Sequence, residues 1–520
     1  MTSIIFIALL SRAVTILLSI LSSQIVPTYD LSFQVIADPS NHPSSTIFES
    51  LCRWDGVYFI RLAQTNLIYE YEQFHAFFPF LPKIIHFLTH SITAPFNTES
   101  IATIPRSRYI IVGVLFINIT FIATAYVFYH LTLALYNNER KAYYSTVLFC
   151  LSPASIFFSA IYTESPFALF SFTFMLCHVR LQECINVKQL LPWWLLCTMC
   201  GVLATFTRSN GIVLAAYPLH SIVARIYYEL TKQKGKRKKR KRNATNGKMK
   251  MKLKKINVAV VTLMLTTTAI LTVMPLVYVD HMGRSIYCKD AAKKEGLEEG
   301  MAVNVEDTVV DGAGGADLDR VDRPWCGSKG GSLYTFVQKE YWNQGLFNYW
   351  TLAQVPNFIL AAPILLTCFL LFYTYVFDKK INLQLLGLFT EEEEDNVAGG
   401  VVGGGGVHVK GIPFVFHCFA LSVLCLVFMH VQVSTRFILA SSPMPYWYWY
   451  DILNKQNNIN RIKMMKKEEK EGKNDLDVLD DLELKEDRFL CFTYSRWLLG
   501  YIWVFNVVGI VLFSSFYPWT

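Results

Sequence analysis

Runs of about twenty mostly apolar residues recur along this chain, and each is long enough to cross a bilayer as a helix. They lie near 4–26, 109–136, 142–162, 165–180, 191–207, 210–228, 256–279, 352–377, 412–433 and 495–517. Hydrocarbon offers no water to backbone N–H and C=O groups, so such runs must satisfy themselves as helices. Charge is too scarce for another reading. Only 17% of the 520 residues are Asp, Glu, Lys or Arg, against 53% apolar, where a soluble domain carries about 25% charge. A soluble enzyme, a disordered chain and a small disulfide-rich module are excluded. The sequence predicts an all-α polytopic membrane protein. The pairs 142–180 and 191–228 are tight and read as hairpins broken at Ser152-Pro153 and Arg208-Ser209-Asn210. The first run lacks a small-residue cleavage site and is expected to be retained. Arg12 lies within it and should face protein or water, since a charge at that depth is costly.

The positive net charge of +8 comes from one segment. Residues 232–255 hold fourteen Lys or Arg and no acid, which leaves the remainder net negative. This tract, including Lys236 to Arg242, lies between two spans. It reads as a topology determinant that keeps 229–255 cytosolic, rather than as a nucleic-acid patch. Counting spans from it puts loops 27–108, 280–351 and 434–494 outside, which is the lumen if the protein resides in the endoplasmic reticulum. Loop 378–411, with its Gly-rich and acidic insertion, falls inside, as does Asn137 to Lys141. The Lys cluster in 451–490 opposes this scheme, since it counts as outside. Residues 289–323, 391–410 and 454–488 read as disordered insertions.

Functional signal concentrates on the outside face. The first loop carries Cys52-Arg53-Trp54-Asp55-Gly56 and then Tyr71-Glu72-Gln73-Phe74-His75. An interfacial helix with solvated carboxylates accounts for this stretch, and so does an acid placed to act as general base on a hydroxyl acceptor. Tyr162-Thr163-Glu164-Ser165, Thr207-Arg208-Ser209-Asn210-Gly211 and Gln432-Val433-Ser434-Thr435-Arg436 open to the same side. Arg208 and Arg436 are candidates to hold a phosphate, because guanidinium forks bind its oxygens bidentately. The competing reading makes each an interfacial anchor. Residues 334–350 form an aromatic, amphipathic stretch expected to lie in the interface. Asp317-Leu318-Asp319 and Asp475-Leu476-Asp477 match a metal-holding D-x-D pattern by chance, being in acid-rich low-complexity loops. Cys197-x-x-Cys200 lacks a second pair and is structural. Cys288 and Cys326 share one outside loop and can pair in an oxidising lumen.

The ordered set Arg53-Trp54-Asp55-Gly56, Tyr71-Glu72-Gln73, Ala76-Phe77-Phe78-Pro79, Ser152-Pro153-Ala154, Tyr162 to Ser165, Thr207 to Gly211, Tyr341-Trp342, Gln344-Gly345, His430 to Phe437 and Pro518-Trp519-Thr520 resembles the PIG-V family of GPI mannosyltransferases. The resemblance implies a GT-C type multispanning helical bundle of the endoplasmic reticulum membrane, with lumenal loops carrying interfacial helices. It implies transfer of the second mannose, in α-1,6 linkage, from dolichyl phosphate mannose to the glycosylphosphatidylinositol precursor by one inverting displacement. Asp55 is then the first candidate base, with Glu72 and Glu164 in reserve. Arg53, Arg208 and Arg436 are candidates for the phosphate, and Trp54, Asn210 and Gln432 for substrate binding. No cofactor or metal site is expected, and metal dependence stays open. The partners implied are the two lipid-linked substrates and the bilayer, with a small accessory membrane subunit as a further candidate and no nucleic acid. A polyprenol-phosphate-sugar transferase with another lumenal acceptor, a lipid flippase and a structural subunit remain the alternatives.

Overall fold

The computed structural model describes residues 2–29, 46–93, 104–184, 186–226, 258–288, 323, 325–326, 331–378, 411–455 and 480–519, the last without the side chains of 480–492. The described residues are helical and contain no strand. The helices are α1 (Thr2–Ile25), α2 (Asp55–Gln64), α3 (Phe80–Thr93), α4 (Arg106–Tyr136), α5 (Glu139–Cys150), α6 (Glu164–Leu181), α7 (Val187–Thr207) and α8 (216–226). They continue with α9 (Val258–Tyr287), α10 (Leu333–Glu340), α11 (Val355–Tyr373), α12 (Ile412–Val427), α13 (Ser434–Ser441), α14 (444–455) and α15 (Asp480–Ser514). Among the described residues, six helices are long and apolar enough to cross a membrane. Their outward faces carry large apolar side chains such as Phe6, Leu115, Leu263, Ile359 and Trp503. Lipid is the solvent those faces suit.

Two ends of the bundle can be told apart by their charges. At one end Asp55 meets Arg436, and at the other Lys141 donates to Asp451 at 2.8 Å. The crossing expected at 142–162 is no continuous helix. Helix α5 stops at Cys150, a 3-10 turn spans Ser155–Phe158, and the chain reaches the Asp55 end through buried irregular backbone. Such backbone survives at membrane depth only where protein supplies its hydrogen bonds. Arg12 supplies them. Its guanidinium donates to the carbonyls of Ser155 at 2.8 Å and Cys150 at 3.3 Å, and to the hydroxyls of Ser155 and Ser159. The cation also stacks on Phe121, 3.9 Å away. The buried charge of the first span therefore seals the break in the third.

The expected loop 434–494 is not a loop at its start. Helices α13 and α14 run buried from Arg436 at one end to Asp451 beside Lys141 at the other. Between these points Tyr446 donates to Ser152, Trp447 to Thr132 and Trp449 to Thr367. The segment crosses the bundle, and hydropathy missed it because its surroundings are protein instead of lipid. Its Ser, Tyr and Trp side chains find polar partners there and require no apolar exterior. Helix α15 then returns, so Ser514 lies beside Ser19 at the Asp55 end, opposite to the direction expected for 495–517. Asp451 itself stands at the Lys141 end, and the Lys cluster beyond Lys455 lies outside the described residues.

Two outcomes are expected in sealed microsomes. A reporter fused after Thr520 should share its side with the Cys288–Cys326 disulfide, and one inserted in 456–479 should share its side with 227–257; maleimide or protease accessibility checks both. Arg12→Ala should lower stability by about 2–5 kcal/mol, since it strips charge-assisted bonds from buried carbonyls, read as a lower unfolding temperature of the purified protein in detergent.

Candidate active site

Four helix ends at the Asp55 end of the bundle each deliver one charged group to one point. Helix α2 begins at Asp55, so its carboxylate sits at the partially positive helix N-terminus, where negative charge is favoured. The Asp55 backbone N–H donates to the Tyr162 hydroxyl oxygen at 3.2 Å, which ties this turn to the end of the irregular crossing. Glu164 opens α6 in the same way. Helix α7 ends at Arg208, whose extended backbone starts a 3-10 turn over Ser209–Ala215. A side chain at Gly211 would meet the backbone nitrogen of Thr205 at 2.5 Å, so this reversal needs glycine. Arg436 stands in the first turn of α13.

These four side chains form a row. Asp55 Oδ2 lies 3.5 Å from Arg436 Nη2. Arg436 Nη1 donates to Glu164 Oε1 at 3.2 Å, and Arg208 Nη1 donates to the same oxygen at 2.6 Å. Glu164 is fully buried, while the side chains of Arg208 and Arg436 keep 17% and 16% exposure and that of Asp55 keeps 39%. Rings flank the cations: Arg436 lies over Phe157 and Tyr162, and Arg208 over Phe167 and Phe437. Glu164 thus serves as internal counter-ion and holds both guanidiniums. Asp55 is the more exposed carboxylate of the two. Its pKa is raised above the ordinary carboxylate value, first by burial within this end of the bundle, with Arg436 opposing the rise. It therefore holds a proton more readily than a surface aspartate does.

Asp55, Arg436 and Arg208 line a cavity of about 430 Å³, with Glu164 buried behind the two guanidiniums. Asp55, Trp54, Arg208, Asn210, Gln432 and Arg436 all border it. Arg53, Glu72 and Glu164 do not. Arg53 packs behind Trp54, donating to the Ser514 carbonyl at 3.1 Å with its guanidinium over Phe516. Glu72 accepts from the Tyr341 hydroxyl at 2.6 Å and pairs with Arg323 at 3.5 Å, so it braces the loop after α10. Arg323 in turn donates to the Tyr287 carbonyl, next to the Cys288–Cys326 disulfide. The aromatic stretch expected to lie in the interface is α10 and the turn after it, and Tyr334, Gln338, Trp342 and Gln344 wall the cavity from that side. Tyr334 shares a 2.7 Å hydrogen bond with Ser209. Three further contributors had no assigned role in the sequence: Tyr162, Phe513 and Trp519. Tyr162 and Trp519 stand inside quoted motifs, which is the signal that marks them. The two D-x-D pairs and the Gly-rich run at 399–406 lie outside the described residues.

A charged, half-lipidic cavity at the end of an apolar bundle suits a lipid-borne polar substrate. The model of the mannosyltransferase (PIG-V) family matches residues 1–520. This chain belongs to that family. It is similar to GPI mannosyltransferase 2 of Drosophila pseudoobscura pseudoobscura, with 27% identity over 90% of this chain and 86% of the relative. It is similar to GPI alpha-1,6-mannosyltransferase 2 of Homo sapiens, with 25% identity over 98% and 96%. Among solved structures it resembles the archaeal oligosaccharyltransferase AglB from Archaeoglobus fulgidus, in complex with an inhibitory peptide and a dolichol-phosphate. That likeness has a TM-score of 0.40 at 10% identity and covers 98% of this chain but 56% of the other. In this PIG-V family chain, Glu164→Ala should leave Arg208 without its carboxylate and Arg436 with Asp55 alone. The expected cost is about 3–5 kcal/mol, seen as a lowered unfolding temperature and reduced yield, whereas Glu164→Gln should lose less.

Proposed function

We propose that this chain transfers the second mannose, in α-1,6 linkage, from dolichyl phosphate mannose to the glycosylphosphatidylinositol precursor at the lumenal face of the endoplasmic reticulum membrane. Membership of the PIG-V family and similarity to GPI alpha-1,6-mannosyltransferase 2 of Homo sapiens support the reaction. The observation that carries the mechanism is that Asp55, Arg436 and Arg208 border one cavity, with the two guanidiniums held from behind by buried Glu164. A lumenal face fits the disulfide at the same end, because such bonds persist in oxidising compartments. A GT-C architecture is part of this reading.

The donor is β-linked and the product α-linked, so a single displacement inverts the anomeric carbon. The acceptor's 6-hydroxyl oxygen attacks that carbon while its bond to the phosphate oxygen breaks. Asp55 takes the hydroxyl proton, and a pKa nearer to the working pH makes it a better base than a solvated aspartate. The transition state has oxocarbenium character, as in other glycosyl transfers. The leaving dolichyl phosphate departs with the bonding electrons and needs no proton. Arg208 and Arg436, prealigned by Glu164, stabilise its charge without reorganising during the reaction. Holding both substrates in one cavity supplies a further share of the acceleration, up to about 7–11 kcal/mol in favourable cases.

The test is an assay of purified protein with dolichyl phosphate mannose and a monomannosyl precursor. Asp55→Asn should lower kcat by about 10²–10⁴-fold. Arg208→Ala should raise KM for the donor more than for the acceptor. Activity of the natural enzyme should fall as pH drops through the raised pKa of Asp55, on the acid side and at higher pH than an ordinary carboxylate would give; this limb should be missing from the residual activity of Asp55→Asn. Transfer to a different lumenal acceptor, or lipid movement without transfer, would overturn the assignment, as would full activity of a stable Asp55→Asn protein.

A further inference from the structure

Residues 515–519, after the last crossing, do not trail away from the bundle but fold back against it and bring Trp519 into the cavity wall. Tyr29 donates its backbone N–H to the Ser515 carbonyl, and Tyr29 and Tyr517 rings meet at 5.1 Å. Trp519 lies on α15 against Phe505, and a side chain at Gly509 would meet the indole nitrogen at 2.6 Å. Gly509 therefore creates the seat that Trp519 occupies at the cavity. Trp54 borders the same cavity from the start of α2, with φ of 51°, a left-handed conformation that a bulky residue adopts only when its surroundings enforce it. Its ring lies 5.6 Å from that of Phe516, whose own φ is 58°. Two strained aromatic residues from distant parts of the chain thus support each other beside the carboxylate.

The row of charges has direction. Asp55 stands at one end and Arg208 at the other, and Arg208 neighbours Ser209, which holds Tyr334. Resting on the reading above, we propose that Trp54 and Trp519 form the binding subsite for the acceptor sugar, and that the Arg208–Tyr334 side takes the phosphate of the donor. A hexose presents a C–H face that suits an indole ring, and a hydroxyl edge that suits a carboxylate. Asp55 shares the cavity with both indoles and meets both needs. The opposite side offers cation and hydroxyl donors, which suit a phosphate.

The test uses the full-length enzyme and both lipid substrates, varied separately. Trp519→Ala should raise KM for the acceptor by roughly fivefold to tenfold, the size expected for a lost aromatic contact, with KM for the donor nearly unchanged. Trp519→Phe should recover most of the loss. Gly509→Val, which touches no substrate, should reproduce the Trp519→Ala pattern by expelling the indole from its seat. Tyr334→Phe should instead raise KM for the donor. If Trp519→Ala fails to fold, Trp519→Phe and Gly509→Val still decide the matter through the same separation of the two KM values. A donor effect from Trp519→Ala or Gly509→Val, or no effect on either KM, would overturn the subsite assignment while leaving the transfer reaction standing. Absence of any transfer by the natural enzyme would instead strike the functional reading itself.

Discussion

Glu164 accepts two guanidiniums on a single buried oxygen, and the form of the cavity follows from that contact. A carboxylate with no exposure is costly unless paired and hydrogen-bonded. The pairing pulls the end of α7 and the start of α13 onto the start of α6, which are far apart in sequence. Arg436 then has a second amine nitrogen to offer Asp55. The result is an alternating row with no net charge, in which the outermost acid is left accessible. An arrangement with one acid fewer would leave a buried cation uncompensated, and one with a cation fewer would lose its hold on anionic oxygens.

The same rule, that buried polarity must be matched, explains the rest of the bundle. Arg12 occurs in a span because the third crossing is broken, and its carbonyls need a donor where water is absent. Lys141 is buried at the other end because Asp451 meets it. Each of these ion or dipole contacts joins segments more than a hundred residues apart, so each also fixes how helices are arranged around one another. Packing of apolar faces alone, which lipid competes with on equal terms, does not specify such neighbours.

Much of this was legible in the sequence. The spans with lipid-facing surfaces announce themselves through hydropathy, and Asp55, Glu164, Arg208 and Arg436 are visible as charged residues at span ends sharing a face. Arg53 and Glu72 sit in equally charged motifs, yet one packs behind the cavity wall and the other braces a loop. Sequence gives proximity along the chain, and a one-residue step around a turn decides which way a side chain goes. The crossing at 434–455 was invisible for a different reason. Its exterior is other helices, so it has no need of an apolar composition, and Tyr446, Trp447 and Trp449 spend their polar atoms on internal partners. The place of Trp519 in the cavity wall depends on a glycine seat at position 509, which no composition rule reveals.

That polar crossing bears on how the protein is built. A segment that partitions poorly into hydrocarbon cannot be released into the bilayer on its own as it emerges during synthesis. Its slot consists of Thr132 on α4, Ser152 after α5 and Thr367 on α11, all made earlier in the chain. Assembly must therefore be sequential: the first helices gather into an incomplete ring, and this late arrival docks into the gap as a plug. Substitutions in the slot would act on biogenesis, stranding an otherwise intact segment outside the membrane, although they lie far from any reacting atom.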